Sequence, residues 1–108
     1  MLTFESTQRK GKILIQPKGE LTIFTAAQAK REFADALEAH ADPEVDLSAV
    51  EELDTAGVQI LLWARREAAH RGRTLPFVDH SPVVMEVFDL LNLVGIFGDP
   101  IFITPSQS

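Results

Sequence analysis

The chain contains no cysteine, which excludes disulfide scaffolds, thiolate metal sites and cysteine nucleophiles. Long apolar runs are also missing. The longest, Ile60 to Ala64, is far too short to cross a bilayer, so no direct membrane insertion is expected. Met1 to Lys10 alternates polar and apolar residues and lacks the apolar centre of a secretory signal, which points to the cytoplasm. Positive charge is scarce: ten Lys and Arg stand against sixteen Asp and Glu, for a net charge of −6. Sequence-independent nucleic-acid binding depends on neutralising phosphates, so this balance argues against it and favours protein partners.

The signatures of catalysis are equally thin. Gly11, Gly19, Gly57, Gly72, Gly95 and Gly98 form neither GxxxxGK[ST] nor GxGxxG, so no loop is built to cradle a nucleotide phosphate. His40, His70 and His80 lie apart, without the spacing of metal ligands. Glu51, Glu52 and Asp54 have the chemistry for acid–base work or Mg²⁺ binding, but a solvated acidic loop is the simpler expectation. His80 and Ser81 are neighbours in sequence, and a nucleophile–base pair needs through-space geometry that adjacency does not supply. A non-enzyme with no cofactor and no metal is expected.

What is present is a foldable core. Of the 108 residues, 45% are apolar and 24% charged, as in a soluble single domain spanning 1–108, with a loose tail at 104–108. Leu2 to Phe4 and Ile13 to Gln16 read as strands joined by a turn at Lys10-Gly11, the second closed by Pro17 and Gly19. Thr25 and Gln28 form a capping-box pattern ahead of a helix whose buried stripe is Ala29, Phe33, Ala36 and Leu37. Asp42-Pro43 ends it, and Val45 to Leu47 is a brief strand. A second helix runs from Gly57 to Arg71 and stops at Gly72. Leu75 to Val78 is a further strand, with Pro76 turned away from a ladder bond. Ser81-Pro82 starts a third helix with Val84, Val87, Phe88 and Leu91 on its apolar face, and Ile101 to Ile103 is a last strand. The alternation predicts an α/β fold, a small mixed sheet with helices mainly on one face.

The segment Leu53-Asp54-Thr55-Ala56-Gly57 stands at a strand-to-helix junction. Asp54 and Thr55 are both good N-cap residues, and a cap contributes about 1 kcal/mol. The same position tolerates a phosphate, because free N–H groups and the positive end of the helix dipole converge there. Small Ala56 and Gly57 leave room for a modifying enzyme to approach. A charge on Thr55 would repel Asp54 by about 1 kcal/mol in water and about 4 at intermediate dielectric, for a separation of roughly 4 Å. The dipole offsets about 0.3–1 kcal/mol. The two nearly balance in free solution, and repulsion wins once a partner covers the site. A helical wheel centred on Leu61 puts Gly57, Val58, Ala64 and Ala68 inward and Gln59, Trp63, Arg66 and His70 outward. An exposed Trp flanked by Arg is typical of an interaction surface, so Gln59, Trp63 and Arg66 are candidate partner-binding residues.

With these residues in view, the chain resembles STAS domains, the fold of bacterial anti-sigma factor antagonists, over nearly its whole length. Gly19-Glu20-Leu21 with Thr25-Ala26 is similar to the family's approach to its first helix. Val45-Asp46-Leu47-Ser48-Ala49-Val50 with Asp54-Thr55-Ala56-Gly57 is similar to its central signature. The resemblance implies a four- or five-stranded mixed sheet and makes Thr55 the phosphorylated position, with Asp54, Ala56, Gly57 and Thr22 around it. It also implies the partners: a GHKL-type anti-sigma serine/threonine kinase that binds the unphosphorylated form, and a PP2C-type phosphatase that restores it. Thr22 stands where many antagonists carry Asp, and Thr55 where Ser is commoner. STAS domains also serve as adaptor subunits of lipid-transporting ABC complexes, in which Thr55 would be only a cap and contact residue. A small nucleotide-binding domain, with Asp54 and Thr55 lining a pocket, stays open as a third possibility.

Overall fold

The structure, a computed structural model, describes residues 1–91; the strand expected at Ile101 to Ile103 and the tail at 104–108 lie outside them. β1 (Leu2–Arg9) and β2 (Lys12–Leu21) form an antiparallel hairpin. At its turn Lys10 and Gly11 both have positive φ, 54° and 79°, as a tight two-residue hairpin turn requires. Both strands are longer than apolar patterning suggests. The turn sets the register, and pairing then runs from Arg9↔Lys12 to Leu2↔Gly19 whatever the side chains. Pro17 and Gly19 therefore lie inside β2 and do not close it. The N–H of Gly19 points to the Ala49 carbonyl, so by alternation the Pro17 nitrogen points the same way. There β2 has no ladder partner, because its parallel pairings stop at Ile15 and resume at Gly19.

Those pairings are made by β3 (Glu44–Asp46) and β4 (Val50–Leu53), which follow one another along the same edge of β2. β4 corrects the expectation of an acidic loop at Glu51, Glu52 and Asp54. A register shift between Gly19 and Glu20 turns Glu51 and Glu52 both to solvent, so the strand shows no period-2 alternation. β5 (Phe77–Val78) pairs parallel with β3 and is shorter than the Leu75–Val78 expected. Pro76 lies before it and contributes only its carbonyl, which accepts from Val45 N at 2.9 Å.

α1 (Ala26–Ala39), α2 (Thr55–His70) and α3 (Pro82–Leu90) complete this mixed five-stranded sheet. All three feed one apolar cluster, including Phe33 and Leu37 from α1, Leu61 and Ala64 from α2, and Val84 and Phe88 from α3. They meet Leu21, Val45, Leu47, Val50 and Phe77 from the sheet. Phe4 of β1 stacks edge-on against Phe33, with centroids 5.1 Å apart. Each fully buried Leu or Phe contributes about 1.5–3 kcal/mol. The other face carries polar pairs beside the buried Leu14: Lys18 pairs with Glu5 at 2.9 Å, and Gln16 donates to Asp46 at 3.2 Å.

The helix ends show which sequence signals are local. Ser81 caps α3 by accepting from Val84 N, with Pro82 next, as expected. Gly72 ends α2 with its N–H on the Ala69 carbonyl. The capping box at Thr25 and Gln28 does not form. Thr25 makes no side-chain cap, and Gln28 Nε2 donates to the Leu2 carbonyl at 2.8 Å. The tertiary partner outcompetes the local one. Arg73 closes the far end of α1 by donating to the carbonyls of Leu37 and His40.

Where α2 begins, its first turn presses on the end of β2. A Cβ on Gly57 would lie 2.0 Å from the Leu21 carbonyl oxygen and 2.8 Å from Leu53 Cδ1. Gly57→Ala is therefore expected to destabilise the fold by about 1–3 kcal/mol or more in urea unfolding, through backbone displacement. A loss under about 0.5 kcal/mol, as at an ordinary surface site, would show that the junction opens freely.

Candidate functional site

Four segments converge at that junction: the end of β2, the turn Thr22 to Thr25, the end of β4 and the first turn of α2. Asp54 holds them together. Its Oδ1 accepts from Gly57 N at 2.9 Å, which is the N-cap bond of α2. Its Oδ2 accepts from Ile23 N at 3.0 Å, thirty-one residues away in sequence. Its own N–H donates to the Leu21 carbonyl, and its carbonyl accepts from Val58 N. Of the two candidate caps, Asp54 takes the role. Thr55 is the first residue of α2 and is exposed, and among the described residues its hydroxyl has no hydrogen-bond partner. Ala56 is half-buried and Gly57 buried.

Thr22 is buried, and its Oγ1 accepts from Phe24 N at 3.3 Å and donates to Glu20 Oε1 at 3.4 Å. The Thr25 hydroxyl accepts from Thr22 N at 3.0 Å and donates to the Glu20 carbonyl at 2.9 Å. These bonds fold residues 22–25 into a knuckle that pushes Ile23 and Phe24 outward, 65% and 89% exposed. Neither residue stands out as a site in the sequence. The signal for them is two apolar residues bracketed by Thr22 and Thr25, outside both the strand and the helix periodicity.

On α2, Gln59 and Arg66 face solvent, as expected. Trp63 does not: it is half-buried and packs against the core cluster, with Lys30 Nζ 5.1 Å from its ring centroid. The wheel considers one buried side, facing the sheet. α1 lies alongside α2 and buries a second side, on which Trp63 falls.

The signature's Asp46 is structural. Its Oδ1 accepts from Ser48 N at 2.8 Å and its Oδ2 from Gln16, which shapes the turn between β3 and β4. Among the described residues no three His, Asp or Glu side chains are grouped to hold a metal ion, and no helix is long and apolar enough to cross a membrane. A cavity of about 580 Å³ opens at the opposite end of β2, lined by Arg9, Lys10, Lys12, Leu14 and Glu44. Neither Asp54 nor Thr55 lines it. The junction presents a hydroxyl and an apolar knuckle outward, a surface suited to a macromolecule.

A family model described as "Mlab, STAS domain" matches residues 5–100. No curated protein sequence matches the chain. The fold is similar to that of an anti-sigma factor antagonist from Mycobacterium paratuberculosis, with a TM-score of 0.75 and 22% identity, over 93% of this chain and 86% of that one. A putative anti-sigma factor antagonist from Thermotoga maritima gives 0.72 at 22% identity, over 86% of this chain and 81% of that one. The Bacillus cell-fate determinant SpoIIAA in its phosphorylated form gives 0.59 at 24%, over 90% and 87%.

Removing the Asp54 carboxylate takes away both a cap and the acceptor for Ile23. Asp54→Ala is expected to cost about 1–2 kcal/mol in urea unfolding and to speed amide hydrogen exchange at Ile23 and Gly57 together. Thr55→Ala should stay within about 0.5 kcal/mol of wild type. Unchanged exchange at Ile23 in the Asp54 variant would mean that the clamp does not hold the knuckle.

Proposed function

The chain belongs to the STAS domain family, and from that premise we propose that it is a phosphorylation-switched protein-binding module of the anti-sigma factor antagonist type. The observation that carries this reading is the division of labour at the head of α2. Asp54 satisfies the helix cap, and the exposed Thr55 hydroxyl is left over for chemistry. Unphosphorylated, the module binds a GHKL-type anti-sigma kinase in the cytoplasm. Phosphorylation of Thr55 ends the interaction, and a PP2C-type phosphatase restores it. The domain is a binding partner and not itself an enzyme. SpoIIAA, which shares the fold, occurs in both unphosphorylated and phosphorylated forms.

The physics of such a switch is local. A phosphate on Thr55 sits beside the Asp54 carboxylate but also beside the free N–H groups of the first turn, so the isolated domain keeps its fold. Enclosure by a partner strips water from both negative groups, and their repulsion then grows severalfold. Gln59 and Arg66 extend the contact surface along α2.

Thr22 favours a second reading. Its own side chain brings a buried hydroxyl to the junction in place of the Asp that many antagonists carry. In that reading the chain is an unswitched STAS adaptor of a lipid-transporting ABC complex, and co-purification with an ATPase subunit and phosphate-free Thr55 by mass spectrometry would distinguish it.

The switched reading is tested with wild type, Thr55→Ala and Thr55→Glu. All three should unfold at the same temperature, and only Thr55→Glu should lose the kinase, by roughly 30-fold or more, the scale of a hot-spot change. Equal binding by all three would sink it.

A further inference from the structure

Scattered apolar side chains on a surface are ordinary; two adjacent ones on a rigid turn beside a modification site are not. Phe24 is 89% exposed and Ile23 65%. The turn beneath them is fully tied down, because each of its four backbone N–H groups is taken. Thr22 N donates to Thr25 Oγ1, Ile23 N to Asp54 Oδ2, Phe24 N to Thr22 Oγ1 and Thr25 N to the Thr22 carbonyl. A knuckle held in this way loses little backbone freedom on binding, so its contact area converts more fully into affinity. Three carboxylates lie near it. Glu20 touches Thr22 and pairs with the N-terminal ammonium at 3.2 Å. Glu52 lies beside Glu20 across the β2–β4 ladder, and Asp54 carries the Ile23 amide. Glu52 is exposed, which leaves the surroundings acidic.

We propose that Ile23 and Phe24 are an apolar anchor that inserts into a hydrophobic cleft with a cationic rim, on the same protein partner that Thr55 gates. This rests on the reading of Thr55 as the switch of a protein interface. The Asp54 side chain joins the two features, with one oxygen on the knuckle and the other on the helix that starts with Thr55. A partner that covers both the knuckle and the head of α2 encloses Phe24 and Thr55 together. The anchor supplies the attraction, and the phosphate makes the same enclosure unfavourable.

The test is calorimetric titration of the full chain, as wild type, Phe24→Ala, Phe24→Leu and Thr55→Glu, against each purified GHKL-type kinase encoded in the same genome. Phe24→Ala is expected to weaken binding roughly 30-fold, as for a hot-spot aromatic, while the unfolding temperature of the free protein stays unchanged. Phe24→Leu, which keeps an apolar tip, should retain most of the affinity, and added salt should weaken wild-type binding if the rim is cationic. If Phe24→Ala binds like wild type while Thr55→Glu does not, the anchor is overturned and the switch stands. If Phe24→Ala loses binding while Thr55→Glu keeps it, the switch is overturned and with it the gating of the anchor, and only the apolar contact at Phe24 stands. If no kinase binds wild type, the switched reading fails and the anchor fails with it. Salt-independent binding would overturn the cationic rim.

Discussion

The arrangement around Thr55 depends on one carboxylate. Asp54 caps α2 through Oδ1 and holds the turn after β2 through Oδ2, so two segments thirty-one residues apart share a single fixed point. An acceptor with two oxygens suits this task, since each can take an amide without giving up the other. Both donors are backbone N–H groups that would otherwise go without a partner at a helix start and a tight turn. Because Asp54 fills the cap, the next residue is released from it.

This gives the signature residues distinct physical tasks. Gly57 lets α2 start against the Leu21 carbonyl, where any side chain would collide with backbone. Asp46 bends the chain between β3 and β4 by accepting from Ser48 N, which lets both strands run along one edge of β2. Asp54 joins the knuckle to the helix. Three of the motif's polar or small positions are thus scaffold. Among the described residues, Thr55 leaves an unbonded hydroxyl facing solvent at the helix end where a negative charge is best tolerated, whereas the exposed Ser48 hydroxyl accepts from Gln16. The proposed switch needs no large rearrangement, since a phosphate charge there would act only when a partner excludes water from it.

Where sequence reasoning worked, the signal and its cause lay within a few residues. Ser81 and Pro82 start α3, Gly72 stops α2, and the Lys10-Gly11 turn joins a hairpin, because each depends on local backbone geometry. Where it failed, a distant partner decided the outcome. Leu2 draws Gln28 away from the α1 cap, and Glu20 and Thr22 engage the Thr25 hydroxyl. β4 escaped notice because a bulge hides its period and two glutamates lower its strand propensity. A wheel drawn on one helix points Trp63 outward because it cannot register α1 beside it.

By itself the sequence determined the class of the fold, the stop of its second helix, the start of its third, and Asp54-Thr55 as the segment of interest; it set the start of α2 at Gly57, two residues late. Periodicity, capping chemistry and the spacing of the signature are properties of neighbouring residues, and they survive in a bare string of letters. Only the tertiary structure decided which of the two capping residues takes the helix and which remains free. That choice depends on the Ile23 amide arriving from another part of the chain to engage the second oxygen of Asp54. It also brought Ile23 and Phe24 to the junction. Their exposure follows from a turn whose bonds reach back to Glu20 and across to Asp54, and no local pattern encodes that closure.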